Sequence, residues 1–182
     1  MTRHVLALAL VLASTQPASA QDAPAAEDAE EEAPEEEAPQ NVMFADLSLG
    51  VVALGYERVL DPRVAIQIAA GIYGPWYVVD GMRGVGGEAR VFLFMEANAP
   101  FGFYVSPGVR GGWVQAEEGQ LSGGAFSARL SFGYSVDLSP IVIRLGGGAQ
   151  YHVVELDEPE TGPQFSFHGV FGVLDIYVGW AF

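Results

Sequence analysis

The sequence predicts an all-β protein: an eight-stranded antiparallel transmembrane up-and-down β-barrel that follows a signal peptide and a disordered acidic linker. Three observations lead to this fold class. Apolar residues recur at every second position through most of the chain, no apolar stretch reaches 18 residues, and the acidic residues are concentrated near the N-terminus. This segregation reconciles the net charge of −15 with a hydrophobic content of 50%.

Residues 1–20 have the pattern of a secretory signal peptide. Arg3 gives a basic start, an apolar stretch covers residues 5–13, and Ala18-Ser19-Ala20 forms a cleavage site of small residues. The apolar stretch is too short to cross a bilayer, which disfavours a membrane anchor. We therefore expect cleavage before Gln21 and export through the inner membrane.

Residues 21–40 form a linker that contains only Ala, Pro, Gln, Asp and Glu, with nine acidic residues. A segment with no apolar face and strong charge repulsion is expected to stay extended and disordered. We interpret it as a solvated spacer rather than a specific binding tail. Residues 41–182 then form the barrel, with seven arginines and fourteen acidic residues, a net charge of −7.

The alternation is clearest in residues 63–73, 124–136 and 141–153. One face of each segment is apolar, and the other carries mainly Gly, Ala, Ser, Gln and isolated Arg. This second face is too small and too sparsely polar for the solvated surface of a soluble sandwich. It fits the lumen of a transmembrane barrel, whose apolar face meets lipid and whose closure leaves no unpaired backbone edge there.

The same pattern defines the other strands and their connections. Strands are expected at 41–49, 51–60, 63–73, 85–94, 101–114, 124–136, 141–154 and 164–182. Connections are short at 61–62, 95–100 and 137–140, and longer at 74–84, 115–123 and 155–163. Short turns are typical of the periplasmic side and longer loops of the outside. The first hairpin is expected to turn near Gly50, without the Asn-Gly pair that often marks such turns.

Aromatic residues are expected in two belts near the strand ends, where amphipathic rings meet the membrane interfaces. The predicted outer belt consists of Tyr73, Trp76, Tyr77, Trp113 and Tyr151. The predicted periplasmic belt consists of Tyr56, Phe101, Phe103, Phe132, Tyr134, Trp180 and Phe182.

The last strand carries the most specific pattern, with Ile176, Val178, Trp180 and terminal Phe182 at every second position. It resembles the C-terminal sorting signal of Gram-negative outer-membrane barrels. Together with the signal peptide and the alternation, it makes residues 41–182 resemble the small eight-stranded barrels of the OmpA/OmpX type or the OmpW-like barrels. This resemblance implies residence in the outer membrane of a Gram-negative bacterium, insertion by the barrel insertion machinery, and contact with outer-membrane lipids and lipopolysaccharide. We expect a monomer.

The alternation also places a set of charged residues in the lumen: Glu57, Glu88, Arg90, Arg110, Arg129 and Arg144. An eight-stranded barrel has an interior just wide enough for side chains, and charges buried there need hydrogen-bonded partners. With four arginines against two glutamates, tyrosine, water and backbone acceptors are expected to contribute. We interpret the set as a structural plug rather than a conducting or selectivity site.

The function expected from these features is that of a non-enzymatic barrel with a structural or interaction role. Two alternatives remain open. One is a narrow, porin-like pore or a conduit for small apolar molecules. The other is a lipid-modifying enzyme, in which His152 would act with a serine and Glu155 on the lipid-facing surface.

No catalytic residue, cofactor or metal ligand is predicted. Cysteine is absent, which excludes disulfides and cysteine-ligated metals, and the acidic 155–163 loop lacks the ligand spacing of a calcium loop. The acidic charge also argues against a nucleic-acid partner, because such binding needs a basic surface.

Overall fold

The structure is a computed structural model that describes residues 39–74, 81–116, 121–158 and 162–182, with the backbone alone at 158 and 162–165. Its strands are β1 Asn41–Asp46, β2 Val51–Asp61, β3 Val64–Tyr73, β4 Arg83–Phe94, β5 Gly102–Ala116, β6 Leu121–Leu138, β7 Ile141–Glu158 and β8 Gly162–Ala181. Each strand pairs antiparallel with the next, and β8 pairs with β1 to close the barrel. The all-β class, the eight strands and the up-and-down order are confirmed. Within these residues no helix is long and apolar enough to cross a membrane.

The ring closes between the shortest strand and the longest. β1 and β8 pair from Val42 opposite Ala181 to Asp46 opposite Tyr177. At the end of this ladder, the Asn41 N–H donates to the Phe182 carbonyl at 3.1 Å, and the Phe182 N–H donates to the Asn41 carbonyl at 2.9 Å. These reciprocal bonds satisfy the backbone at the point where the two ends of the barrel meet.

Side chains alternate between the two faces of the wall, as the period-two pattern requires. Large apolar side chains point outward from every strand. The most exposed of them, between 63% and 74% exposed, are Leu54, Ile68, Ile72, Val85, Phe132 and Val170. The inward positions carry small, aliphatic, aromatic, polar or charged side chains, and most of them are buried.

The interior has an apolar layer near each end. We call the end with the β2–β3, β4–β5 and β6–β7 connections the turn end, and the opposite end the loop end. Near the loop end a cluster contains Val51, Ala53, Tyr73, Met82, Val114, Ala116, Ala125, Val154 and Leu156. Near the turn end two clusters contain Val42, Phe44, Phe101, Val142, Tyr177 and Ala181, and Ala65, Phe92, Phe94, Ala99 and Tyr104.

Two predicted loops are wrong in length. The 115–123 connection shrinks because β5 continues to Ala116 and β6 begins at Leu121. The 155–163 connection shrinks because β7 continues to Glu158 and β8 begins at Gly162. Backbone pairing does not depend on apolar side chains, so the ladders continue through these polar and glycine-rich residues after the hydrophobic alternation has ended.

The first hairpin turns where it was expected, although β1 is shorter than predicted. β1 ends at Asp46 rather than Leu49. The Val51 N–H donates to the Ser48 carbonyl at 3.0 Å, and Gly50 has a φ of 71° at the third position of this four-residue turn. A positive φ is readily adopted by glycine, so Gly50 supplies the turn without an Asn-Gly pair.

The predicted aromatic belts are partly wrong. Trp113 and Tyr151 are exposed near the loop end, and most of the predicted periplasmic set is exposed near the turn end. Tyr73 and Phe101 instead point inward and are buried. Tyr73 occupies an inward position in the alternation of β3, whereas Phe101 lies just before β5, outside the alternation of that strand and next to Gly102 with its positive φ. Trp76 and Tyr77, the signal peptide (1–20) and residues 21–38 of the linker lie outside the described residues.

Candidate functional site

All six charged residues predicted for the lumen lie inside the barrel between the two apolar layers. They come from five strands, with Glu57 on β2, Glu88 and Arg90 on β4, and one arginine on each of β5, β6 and β7. Each of the six side chains is buried. We call this set, with the acidic residues described next, the charge layer.

Two further carboxylates belong to the charge layer and were missed from the sequence. Asp46 on β1 and Asp175 on β8 point inward, at 1% and 0% exposure. Four acidic residues therefore face four arginines, and the predicted surplus of positive charge is wrong. The alternation of β8 could have predicted the inward position of Asp175, which lies two residues before inward Tyr177. The alternation of β1 indicates the same for Asp46 more weakly, since Asp46 follows inward Val42 and Phe44 at every second position.

Glu88 is the centre of the larger group. Its carboxylate lies 3.5 Å from the Arg90 Nε and 3.2 Å from the Arg129 Nη1, and it also forms an ion pair with Arg110. Asp46 lies near the same nitrogen of Arg110, with 3.7 Å between the Arg110 Nη2 and the Asp46 carboxylate. One acidic side chain thus contacts guanidinium groups from three different positions on the wall.

Asp175 joins the same group from the last strand. Arg90 donates to its carboxylate at 3.1 Å, and Arg129 donates to its other oxygen. Arg90 also donates to the hydroxyls of Ser106, at 3.0 Å, Ser131, at 2.5 Å, and Tyr177. Hydroxyl acceptors therefore supplement the carboxylates, as buried guanidinium groups require.

A second, separate pair joins Glu57 and Arg144 nearer the turn end. The two guanidinium nitrogens of Arg144 donate to the two carboxylate oxygens of Glu57 at 2.5 and 2.9 Å. The Pro100 carbonyl accepts a further bond from Arg144 at 3.2 Å. The guanidinium also lies over the Phe92 ring, 4.3 Å from its centroid. This bidentate geometry is the strongest form of an arginine–carboxylate contact.

Inward glycines make room for this packing. A Cβ at Gly108 would lie 2.6 Å from the Arg90 Cγ. A Cβ at Gly133 would lie 2.5 Å from the Tyr104 hydroxyl, and one at Gly146 would overlap the same group. The interior is filled so tightly that the cavity beside Asp46, Glu88 and Arg110 measures about 10 Å³, space for a single water.

No family model, curated protein or solved structure matches this chain at a significant level. The site is therefore interpreted from its own geometry, that of a closed eight-stranded antiparallel barrel with a packed interior.

The structure overturns the predicted surface position of His152. Its side chain points inward and is fully buried, and a ring nitrogen shares a hydrogen bond of 2.8 Å with the Tyr73 hydroxyl. Glu155 is exposed on the outer face instead. On that face Glu155 lies opposite Ser166, and His168 follows on the same side of β8. The described side chains contain no group of His, Asp or Glu that would hold a metal.

Proposed function

We propose that this chain is a non-enzymatic outer-membrane β-barrel of a Gram-negative bacterium, with a lumen plugged by its own side chains and a structural or interaction role. The observation that carries the proposal is the inverted distribution of polarity. Charged residues are buried inside the ring, whereas large apolar residues are exposed around the outside. Lipid is the solvent in which this arrangement is favourable.

The exposed apolar surface is too extensive for a water-soluble monomer. Monomeric soluble proteins rarely expose contiguous apolar patches larger than a few hundred Å². Here every strand contributes to the outer apolar face, and aromatic residues such as Trp113 and Trp180 lie near opposite ends. Such flanking aromatic residues are typical of the interfaces of transmembrane barrels.

The tightly packed interior supports the plugged lumen over the two alternatives. The charge layer crosses the barrel between two apolar layers of described side chains. An aqueous path would have to pass the apolar layers, and a conduit for apolar molecules would have to pass the four arginines. For a lipid-modifying enzyme the support is limited to the register that brings Glu155, Ser166 and His168 to the same face of the wall.

Planar-bilayer recordings test the plug. The purified chain is expected to give no large, stable single-channel conductance, because ion pairs and aromatic side chains fill the lumen. A porin inserted into the same membranes provides the positive control. Stable channels that scale with the amount of inserted protein would contradict the proposal.

The proposed partners are outer-membrane lipids, lipopolysaccharide and the barrel insertion machinery. This machinery would recognise Ile176, Val178 and Trp180 on β8 together with Phe182, which follows the strand. Val178, Trp180 and Phe182 are exposed on the outer face. Replacing Phe182 by alanine is expected to reduce insertion in cells several-fold, and the matched change Leu54→Ala on β2 is expected to leave it near normal. The amount of folded barrel in isolated outer membranes is the measurement. Equal insertion of the two variants would argue against a sorting role.

A further inference from the structure

The outer wall carries an apolar groove of about 620 Å³ across β3, β4, β5 and β6. Ala89, Pro107 and Ala128 are among the small outward residues that line it. Ile66 and Ile68 form its wall on β3. Beside the groove, Phe126 and Leu130 flank Ala128 along β6 and form an exposed ridge; they are 50% and 56% exposed.

The strand register shows that groove and ridge belong to one continuous patch. Ile68, Ala89, Val109 and Ala128 lie side by side on successive strands. The row therefore runs from the isoleucine wall across the groove to Ala128, and the ridge residues lie on either side of Ala128 along β6. Val109 lines the groove on β5, between Ala89 on β4 and the ridge strand β6.

Two outward glycines extend the floor towards the loop end, and nothing inside the barrel requires them. A Cβ at Gly111 would meet only the Ala125 carbonyl oxygen, at 4.0 Å, and one at Gly87 only the Ala69 carbonyl oxygen, at 3.4 Å. Neither has the positive φ found at Gly50, Gly81 and Gly102. A glycine in a strand interior often marks a place where another backbone approaches closely, and these two glycines leave room for such an approach.

The backbone at the groove floor is also irregular. The β4–β5 ladder pairs Arg90 with Gly108 and Leu93 with Val105 but omits the two positions between them. Pro107, which lies opposite Val91 in this register, has no N–H, so the Val91 carbonyl lacks its ladder donor. At membrane depth, irregular backbone is tolerated where protein covers it. This favours a protein over an acyl chain as the occupant.

We propose that the groove binds the ridge of a second copy of this chain, in a reversible twofold dimer within the membrane, in place of the monomer expected from the sequence. An isologous contact needs a patch that is complementary to itself, and here the cavity and the protrusion are neighbours. Small residues let membrane-embedded backbones approach closely, which is the main source of affinity in lipid. This inference rests on the proposed membrane location.

The size of the patch fits a reversible contact. Four strands about 4.8 Å apart and about 20 Å of strand length give on the order of 400 Å² of wall. A standard stable interface buries about 800 Å² per partner. The dimer is therefore expected to exchange with monomer as the protein is diluted in lipid.

Disulfide trapping tests the dimer directly, because the chain has no cysteine of its own. In the proposed dimer the twofold axis passes near Val109, on the strand between Ala89 and the ridge strand β6, so Val109→Cys is expected to form linked dimers on oxidation in phosphatidylethanolamine–phosphatidylglycerol vesicles. Leu54→Cys is the matched control, since Leu54 is 74% exposed on β2, away from the groove. Adding Ala89→Phe, which fills the groove, is expected to lower trapping at Val109 by about tenfold, equivalent to about 1.4 kcal/mol.

Insertion is measured on the same samples by quenching of tryptophan fluorescence with brominated acyl chains. Normal quenching shows that the protein has inserted. If inserted protein were trapped equally at positions 109 and 54, or if Ala89→Phe did not change trapping at position 109, the dimer would be overturned and the membrane location would stand. Native mass spectra could instead show a lipid that the monomer retains and that is lost with Ala89→Phe. That result would overturn the dimer and identify an acyl chain as the occupant of the groove. Absence of quenching would overturn the membrane location and the dimer with it.

Discussion

Replacing Glu57 by glutamine is expected to destabilise the barrel by about 3–5 kcal/mol, the range for breaking a buried ion pair from one side. Arg144 is fully buried, and Glu57 is the carboxylate that binds both of its terminal nitrogens. Without that charge the guanidinium remains in the interior with the Pro100 carbonyl and the Ser135 hydroxyl as weaker acceptors. Denaturant unfolding in detergent micelles, followed by tryptophan fluorescence, measures the change.

Two controls separate the buried charge from a general effect of the substitution. Glu155→Gln, at an exposed position of β7, is expected to change stability by no more than about 0.5 kcal/mol. The double replacement Glu57→Leu with Arg144→Met is expected to be more stable than Glu57→Gln alone, because it leaves no unpaired charge. If Glu57→Gln were as mild as Glu155→Gln, the pair would not be a structural component of the plug.

Adding one methyl group at Gly146 is expected to cost about 2–3 kcal/mol, at the upper end of the effects of overpacking. The new Cβ would overlap the Tyr104 hydroxyl and lie 2.7 Å from the Phe132 carbonyl oxygen. The Tyr104 ring packs against Phe92 and Phe94 at the turn end, with 5.1 and 6.3 Å between its centroid and theirs. It therefore has little room to move aside.

The matched variants are Gly124→Ala and Tyr104→Phe. A Cβ at outward Gly124 meets no atom within 4 Å, so Gly124→Ala is expected to be neutral or slightly stabilising. The Tyr104 hydroxyl has no hydrogen-bond partner among the described residues, so its removal should cost little. Combined with Gly146→Ala, Tyr104→Phe is expected to recover part of the loss, a coupling that a double-mutant cycle measures. No recovery would show that Tyr104 is not what excludes a side chain there.

The fold could be predicted from the sequence because its main determinant is local. Side chains alternate with period two in any strand, so the inward position of Arg90, Arg129 and Arg144 followed once the strands were placed. The ends of the strands were harder to predict, because polar residues near Glu158 and Gly162 continue the ladder without apolar alternation. A short strand such as β1 offers too few repeats to assign the face of Asp46.

The pairing of charges within the charge layer could not be predicted from single strands. Which acid faces which arginine depends on the register of strands far apart in the chain, as for Arg90 and Asp175. The inward position of His152 was available from alternation, since it follows Gln150 by two residues. The alternative of a lipid-modifying enzyme placed His152 on the lipid-facing surface, and the geometry of β7 corrected that expectation.

Two of the ion pairs connect strands on opposite sides of the barrel. Arg90 on β4 reaches Asp175 on β8, and Arg144 on β7 reaches Glu57 on β2. An open sheet cannot bring these partners together, so these two pairs are expected to form only when the first and last strands meet. Ion pairs between the neighbouring strands β4 and β5 can form before that. Closure of the ring and burial of the cross-barrel pairs are therefore expected to occur as one cooperative event, and a barrel that has failed to close keeps those partners hydrated.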